Sequence, residues 1–178
     1  MPTPDFIIRL REKIGHDPLF LPGCVAVIVR DVPVGAPLWE VPSVLLVRRA
    51  DTGAWTPVCG ICEPGEDVGE TAVREVKEEV GLDAQVEALL GVGAGEPVTY
   101  PNGDQCSFIE TALRLSVADD AQASISDEEN TELRWFSATQ LPQEINPRHR
   151  MMIADGVAQM KHPAGFRPRV GFHKRSRA

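Results

Sequence analysis

The chain has 178 residues, of which 43% are hydrophobic and 25% are charged, and this balance suits one soluble domain with a sizeable core. The net charge of -8 argues against a surface that coats nucleic acid, because phosphate binding needs basic patches. No apolar run approaches the ~20 residues that span a bilayer, and the N-terminus lacks the basic-then-apolar order of a secretory signal. We therefore expect a cytoplasmic protein without nucleic-acid or membrane partners.

The first part of the chain predicts one helix and then two strands. Thr3 and Pro4 precede the run FIIRLREKI, so we expect a helix with Thr3 as its cap and Pro4 in its first position, ended by Gly15. Two β-branched runs, 23–30 and 42–50, predict strands, and the proline- and glycine-rich stretch between them predicts a loop or an edge hairpin.

The second part predicts a mixed architecture. Asn102-Gly103 indicates a turn. The further elements are strands over 84–93, 105–117 and 131–136 and a helix over about 148–160. Strands that are separated by a helix and then follow one another predict an α/β (α+β) fold with a mixed β-sheet flanked by helices.

The two ends of the chain differ from its middle. We expect residues 1–19 to form a helical extension, 20–160 the main domain and 161–178 a basic tail. All charged residues of that tail are basic: Lys161, Arg167, Arg169, Lys174, Arg175 and Arg177. Such a run indicates a solvated, partly disordered tail, or else a contact with an anionic ligand or a neighbouring subunit.

The cysteines allow two interpretations. Cys59 and Cys62 form a CxxC pattern, which can indicate a zinc or redox site, but no second CxxC completes the four ligands of a zinc site. Cys24 and Cys106 lie in apolar runs and are interpreted as small core residues.

The stretch from Gly60 to Leu82 contains six glutamates and one aspartate. Asp67 as N-cap and Gly81 as a left-handed C-terminal residue predict a helix from about Val68 to Val80. Its apolar arc, which we expect to pack on the sheet, consists of Ala72, Val73, Val76 and Val80.

Three carboxylates, Glu75, Glu78 and Glu79, fall on an arc beside that apolar face, because they are three and four residues apart. Like-charge pairs at this spacing cost only ~0.2–0.5 kcal/mol each, so a solvated acidic face is one explanation. The other is a shared cation, since a glycine-rich loop that begins at Gly60 can bring backbone carbonyls close to it. Oxygen ligands suit Mg²⁺ or Mn²⁺ better than zinc.

These residues resemble the Nudix box, G-x5-E-x7-R-E-U-x-E-E-x-G-U, where U is apolar. Gly60, Glu66 and the run from Arg74 to Leu82 fill every defined position. With the order of the strands, the resemblance covers most of residues 20–145. It implies a Nudix-like α/β/α sandwich and Mg²⁺-dependent (or Mn²⁺-dependent) hydrolysis of a pyrophosphate bond in a nucleoside diphosphate linked to another moiety.

The resemblance also implies roles for single residues. Glu75, Glu78 and Glu79 would bind the cation, and Glu78 and Arg74 would take part in catalysis, with Arg74 pairing with Glu66 or Glu75. The residue before the box glycine often adds its backbone carbonyl to the metal shell. That residue is usually Gly or Ala in the family and is Cys59 here.

Residues outside the box are less constrained. The acidic loop before Trp135 resembles the loop that supplies a general base in some members, so Glu129 is our first candidate and Glu128 the next, the alternative being a solvated loop. Arg48 or Arg49 could bind a phosphate, or face solvent.

Aromatic residues could bind the base of a nucleotide. Tyr100 and Trp55 could stack on it, or belong to the core.

The substrate class remains open among nucleoside triphosphates, ADP-ribose-like compounds and dinucleoside polyphosphates. The alternative function is a non-catalytic nucleotide-binding regulator on the same fold, although such a protein would be expected to have lost box glutamates. An isoprenoid diphosphate isomerase is disfavoured because its cysteine-containing motif is absent. Many relatives dimerise, so a homodimer is a further option.

Overall fold

The computed structural model describes residues 3–100, 102–126 and 128–172. Within them the chain forms three helices, nine strands and a 3₁₀ turn at Pro163–Gly165. In chain order the elements are α1 (Asp5–Ile14), β1 (Leu19–Arg30), β2 (Ser43–Arg49), β3 (Trp55–Thr56), β4 (Val58–Ile61), α2 (Val68–Val80), β5 (Ala84–Ala94), β6 (Val98–Thr99), β7 (Gln105–Val117), β8 (Asn130–Ser137), α3 (Pro147–Lys161) and β9 (Arg169–Val170).

The sheet is mixed, as the sequence predicts. Its central path is β3-β2-β1-β7-β5-β9, with β4 paired to β1, β6 to β7 and β8 to β2. Strands β1 and β7 run parallel from the pair Leu19 and Cys106 to the pair Ile28 and Leu115. Strand β4 adds to β1 antiparallel, with Cys24 opposite Gly60. This pairing places Gly60, where the glutamate-rich segment begins, beside the central strand β1.

Strand β1 is buried on both faces, because one helix covers each face of the sheet. Its even-numbered residues, such as Ala26, pack with Val76 and Val80 of α2. Its odd-numbered residues, such as Val27, pack with Met152 of α3. A strand covered on both sides reads as a continuous apolar run rather than an alternation, as residues 24–29 do. The α/β/α sandwich is therefore confirmed.

Helix α1 begins one residue later than predicted. Pro4 has an extended ψ of 142° and is the N-cap, with no side-chain cap, so Thr3 does not cap the helix. The carbonyl of Pro4 accepts hydrogen bonds from the amides of Ile7 and Ile8. Gly15 ends the helix with a φ of 60°, as predicted.

Up to Phe172, the basic C-terminal segment packs onto the domain, whereas a solvated tail was one of the two expectations. Arg169 and Val170 pair with β5, and Phe172 is only 1% exposed in the core beneath α3. Glycines in β5 make room for this ring, since a Cβ on Gly93 would lie 2.9 Å from it. The last three basic residues, Lys174, Arg175 and Arg177, lie outside the described residues.

No helix in the described ranges is both long and apolar enough to cross a membrane. This agrees with the absence of a long apolar run in the sequence.

Candidate active site

Helix α2 positions the acidic residues, and its ends are as predicted. At the N-terminus, the backbone amide of Asp67 donates to the side chain of Glu70 at 3.0 Å, one half of a capping box. At the C-terminus, Gly81 adopts the left-handed conformation with a φ of 69°. Because both ends are fixed, the rotational setting of the glutamates about the helix axis is fixed as well.

Glu75 is buried against strand β4, and Gly60 is the reason that it fits. The side chain of Glu75 is 1% exposed. A Cβ atom on Gly60 would lie only 2.1 Å from Cγ of Glu75. Any other residue at position 60 would therefore displace this carboxylate, which gives the first glycine of the box a steric role.

Burial changes the protonation of Glu75. Desolvation raises the pKa of Glu75 to about 7, although the neighbouring Arg74 opposes the shift. A buried carboxylate with a raised pKa is one whose negative charge is only partly compensated by its surroundings. A divalent cation would supply the missing compensation.

Glu79 lies one turn further along the same buried side. It is 3% exposed, and its Oε2 accepts a hydrogen bond from Nδ2 of Asn130 at 3.0 Å. Asn130 is itself buried at the start of β8. Nothing in the sequence indicates Asn130 as a site residue, since only the fold shows that β8 begins beside Glu79.

Arg74 connects the other carboxylates. It donates to both oxygens of Glu66, at 2.6 and 2.9 Å, to Glu75 at 3.0 Å, and to the carbonyl of Ile61 at 3.2 Å. The predicted pairing with Glu66 or Glu75 is confirmed for both. The guanidinium of Arg74 lowers the pKa of Glu66 to about 2, so Glu66 is ionised at neutral pH.

Glu78 does not join the two buried glutamates. Its side chain is 46% exposed and pairs with Arg74 at 3.2 Å. In the part of the chain that the structure describes, no three His, Cys, Asp or Glu side chains form a ready-made metal-binding group. Two of the three predicted carboxylate ligands thus share one buried side of α2, and the third lies outside it.

A cleft of about 870 Å³ runs along this side of α2. It brings together six residues singled out in the sequence: Arg49, Cys59, Glu75, Glu79, Tyr100 and Glu129. Among the residues that the sequence did not indicate, Glu110 also lines the cleft, where its carboxylate pairs with Arg148. The walls of the cleft supply mainly oxygen donors, the type that Mg²⁺ and Mn²⁺ prefer. The chemical type of these donors therefore fits such a cation.

The two arginines at the end of β2 have different surroundings. Arg49 lines the cleft, forms a two-point pair with Asp51 at 3.0 Å, and lies 3.5 Å from Glu129. Arg48 points elsewhere and pairs with Glu132 at 2.7 Å. Of the two candidates for phosphate binding, only Arg49 borders the cleft.

The remaining candidate residues differ in whether they line the cleft. Glu129 is half-buried in the cleft, whereas Glu128 is exposed and does not line it. Tyr100 is half-buried in the cleft. Trp55 belongs to the core, where it meets Phe136 edge to face at 4.8 Å, so its proposed stacking on a base is not supported by its position.

All four cysteines of the described region are free thiols. The thiol of Cys59 donates to the carbonyl of Pro57 at 3.3 Å, and burial raises the pKa of Cys59 well above its usual range. Burial also raises the pKa of Cys24 to about 12. Because Cys59 belongs to the CxxC pattern, its raised pKa disfavours a redox or zinc role for that pattern.

Comparisons with known proteins agree with this geometry. The family model described as NUDIX domain matches residues 29–156, well over half of the chain. The structure is similar to the crystal structure of a MutT protein from Methanosarcina mazei, with a TM-score of 0.61. The alignment covers 82% of this chain and 98% of that one, and the two sequences are 20% identical. At that identity the likeness concerns the fold.

Three relatives are similar in sequence. A Bacillus subtilis protein, named provisionally as an 8-oxo-dGTP diphosphatase, is 32% identical over 65% of this chain and 72% of its own length. The human 8-oxo-dGDP phosphatase NUDT18 is 28% identical over 71% of this chain but only 38% of its own length. The ADP-ribose pyrophosphatase of Methanocaldococcus jannaschii is 35% identical over 64% of each protein.

The domain match runs from the last two residues of β1 through most of α3, so it includes α2, most of α3 and the whole acidic segment. This protein is therefore a member of the Nudix hydrolase family.

Proposed function

We propose that this enzyme hydrolyses a phosphoric anhydride bond of a nucleotide with Mg²⁺ or Mn²⁺ as cofactor. One observation carries the proposal: Glu75 and Glu79 are both buried on the wall of one cleft, and Gly60 leaves space for the first of them. Two carboxylates buried on one side of a helix cost stability, so their presence together favours a role in binding a cation.

Each of the residues around the cation would have its own task. Glu75 and Glu79 would hold it, and the backbone carbonyl of Cys59 is an additional donor. Arg74 keeps Glu75 in place through the 3.0 Å hydrogen bond. When bound, a divalent cation neutralises phosphate oxygens and makes a water molecule more acidic.

Glu78 would join the cation only if it left Arg74. Its ion pair with Arg74 is exposed and therefore weak, so the movement of this side chain is inexpensive.

Glu129 is our candidate for the general base. It borders the cleft, and its carboxylate lies 3.5 Å from the guanidinium of Arg49. A carboxylate in this position can accept a proton from the attacking water. Asp51 holds Arg49 so that the guanidinium remains at the cleft, where it can contact a phosphate oxygen.

The names of the relatives support a nucleotide substrate but differ in the group attached to the phosphates. Two of the names contain a phosphate of 8-oxo-deoxyguanosine, and the third contains ADP-ribose. We infer that the substrate is a nucleoside diphosphate derivative. The partner that this enzyme needs is then a small molecule, and a homodimer stays a prediction.

The test is a substrate panel with purified protein and Mg²⁺ or Mn²⁺. The compounds are 8-oxo-dGTP, dGTP, ADP-ribose and a dinucleoside polyphosphate, and the products are identified by chromatography. We expect release of a nucleoside monophosphate from at least one compound, and no release in the presence of a chelator. Binding of these nucleotides without hydrolysis of any of them would instead support the non-catalytic regulator.

A further inference from the structure

The cleft has a second wall, which comes from the extension that precedes the matched domain. Thr3, Pro4 and Ile7 border the same cleft as Glu75 and Glu79. The family match begins at residue 29, after this segment. Helix α1 thus lies outside the matched residues, and it reaches the candidate active site.

Helix α1 is attached to the domain by an apolar contact. Ile7 is 4% exposed and packs with Leu21 and Cys106, and the rings of Tyr100 and Phe108 lie against this cluster. The next residue on the helix, Ile8, is 47% exposed. One face of α1 is therefore specifically buried beside the cleft.

A polar contact holds the other end of the helix. The guanidinium of Arg11 lies 3.0 Å from Asp104 and donates to the carbonyl of Asp17 at 2.6 Å. Asp104 also contacts Nδ1 of His16 at 2.9 Å and Nδ2 of Asn102 at 3.1 Å. Helix α1 and the turn between β6 and β7 are consequently joined into one unit.

This unit has the chemistry of a nucleobase site. Its cleft surface combines apolar side chains, Ile7, Tyr100 and Phe108, with the polar groups of Asn102 and Asp104. An aromatic heterocycle has apolar faces and hydrogen-bonding edges, and binding pockets for such ligands combine apolar walls with a few polar groups. Tyr100 lines the same cleft as Arg49 and Glu129, so the unit adjoins the acidic end of the cleft.

We propose that α1 and the β6–β7 turn bind the base of the nucleotide, so that the N-terminal extension determines which nucleotides are accepted. This proposal rests on the proposed function for the identity of the ligand. It assigns the acidic end of the cleft to the phosphates and the α1 end to the heterocycle.

The main test uses Ile7→Ala, with Ile8→Ala as a matched control on the exposed side of the helix. The affinity for dGMP, 8-oxo-dGMP and AMP is measured by calorimetry, and KM is measured for each hydrolysed nucleotide. Imidodiphosphate, which has phosphates but no base, is used as an inhibitor, and its inhibition constant measures binding at the acidic end of the cleft. We expect Ile7→Ala to weaken nucleotide binding about tenfold. The inhibition constant of imidodiphosphate and the properties of Ile8→Ala should stay within about twofold of the wild type.

A second pair of variants tests the attachment of the helix without altering the apolar surface. Arg11→Gln removes the ion pair with Asp104, and Arg9→Gln makes the same charge change at an exposed position of α1. We expect a raised KM for nucleotides with Arg11→Gln and an unchanged KM with Arg9→Gln. Thermal melting checks that each variant is folded.

The outcomes separate the two proposals. If the wild type hydrolyses no compound but binds nucleoside monophosphates through Ile7, the proposed function fails and this inference stands. If nucleotides are hydrolysed with the same KM by the wild type, Ile7→Ala and Arg11→Gln, the inference is overturned. It is also overturned if imidodiphosphate and nucleotides lose affinity equally, or if the wild type binds no nucleoside monophosphate.

Discussion

The two ends of the cleft are built in different ways. The acidic end comes from α2 and the short strand β4, so its main parts lie within 20 residues of Gly60, from Gly60 to Glu79. The opposite end combines α1 and the β6–β7 turn, which are far apart in the chain. Chemistry that is common to a family can be encoded in one helix, whereas selectivity for a ligand depends on contacts that only the complete fold creates.

The largest expected effect concerns the acidic end. Glu79→Gln should lower kcat/KM about 100- to 1000-fold, because it removes a carboxylate that would hold the cation, and the cation neutralises the phosphates in the transition state. The control is Glu78→Gln, which makes the same change one residue away, at an exposed position. We expect a smaller loss for this control. Equal losses in steady-state assays would show that Glu78 moves into the cleft when the cation binds.

The next prediction tests how Gly60 positions Glu75. Gly60→Ala places a Cβ at 2.1 Å from the Glu75 side chain, so this side chain must move while the strand persists. A carboxylate displaced by about 1 Å should reduce kcat/KM about 10- to 100-fold. Gly69→Ala is the control, because its added Cβ meets no atom closer than 3.7 Å. Full activity of Gly60→Ala would contradict the steric role of this glycine.

A third prediction concerns the support of α3, which also borders the cleft. Phe172→Ala should lower the free energy of unfolding by about 3–5 kcal/mol, since the ring is buried beneath α3, which carries His149 at the cleft. Val170→Ala should have little effect, because Val170 is 96% exposed. Chemical denaturation measures both variants. A small loss for Phe172→Ala would mean that the C-terminal segment does not stabilise the packing of α3.

The smallest effect is the pH dependence of the ion pair at Glu66. Arg74 lowers the pKa of Glu66 to about 2 from 4.5 in the unfolded chain. The unfolded state then binds the proton more readily, so the stabilisation is complete above pH 4.5 and is lost as the pH falls towards 2. Glu66→Gln should cost on the order of 1 kcal/mol at pH 7. Denaturation curves should show that the difference in the free energy of unfolding between wild type and Glu66→Gln shrinks below pH 4.5. A difference that does not change with pH would contradict the stabilising role of the ion pair between Glu66 and Arg74.

Local sequence signals predicted most of the fold and the acidic end of the site. The caps of α2, the long strand β7 and the burial of Val76 and Val80 follow from turn chemistry and periodicity. Short strands such as β4 and β9 were missed because pairing with a neighbour, and not local propensity, defines them.

The opposite end could not be predicted for a similar reason. The Asp104 carboxylate meets Arg11 and His16 across about 90 residues of sequence, and nothing in either segment indicates the other. The exposure of Glu78 also depends on a competing partner, Arg74, which spacing alone does not select. Equal spacing on a helix therefore predicts neighbours but not which carboxylates face the cleft.

The central claim is that the buried carboxylates bind a divalent cation. Electron paramagnetic resonance of Mn²⁺, titrated with wild-type protein and with Glu79→Gln in the presence of imidodiphosphate, tests it most directly. We expect bound Mn²⁺ in the wild type and an affinity at least about tenfold weaker in the variant. Equal affinities, or no bound Mn²⁺ in the wild type, would contradict the claim.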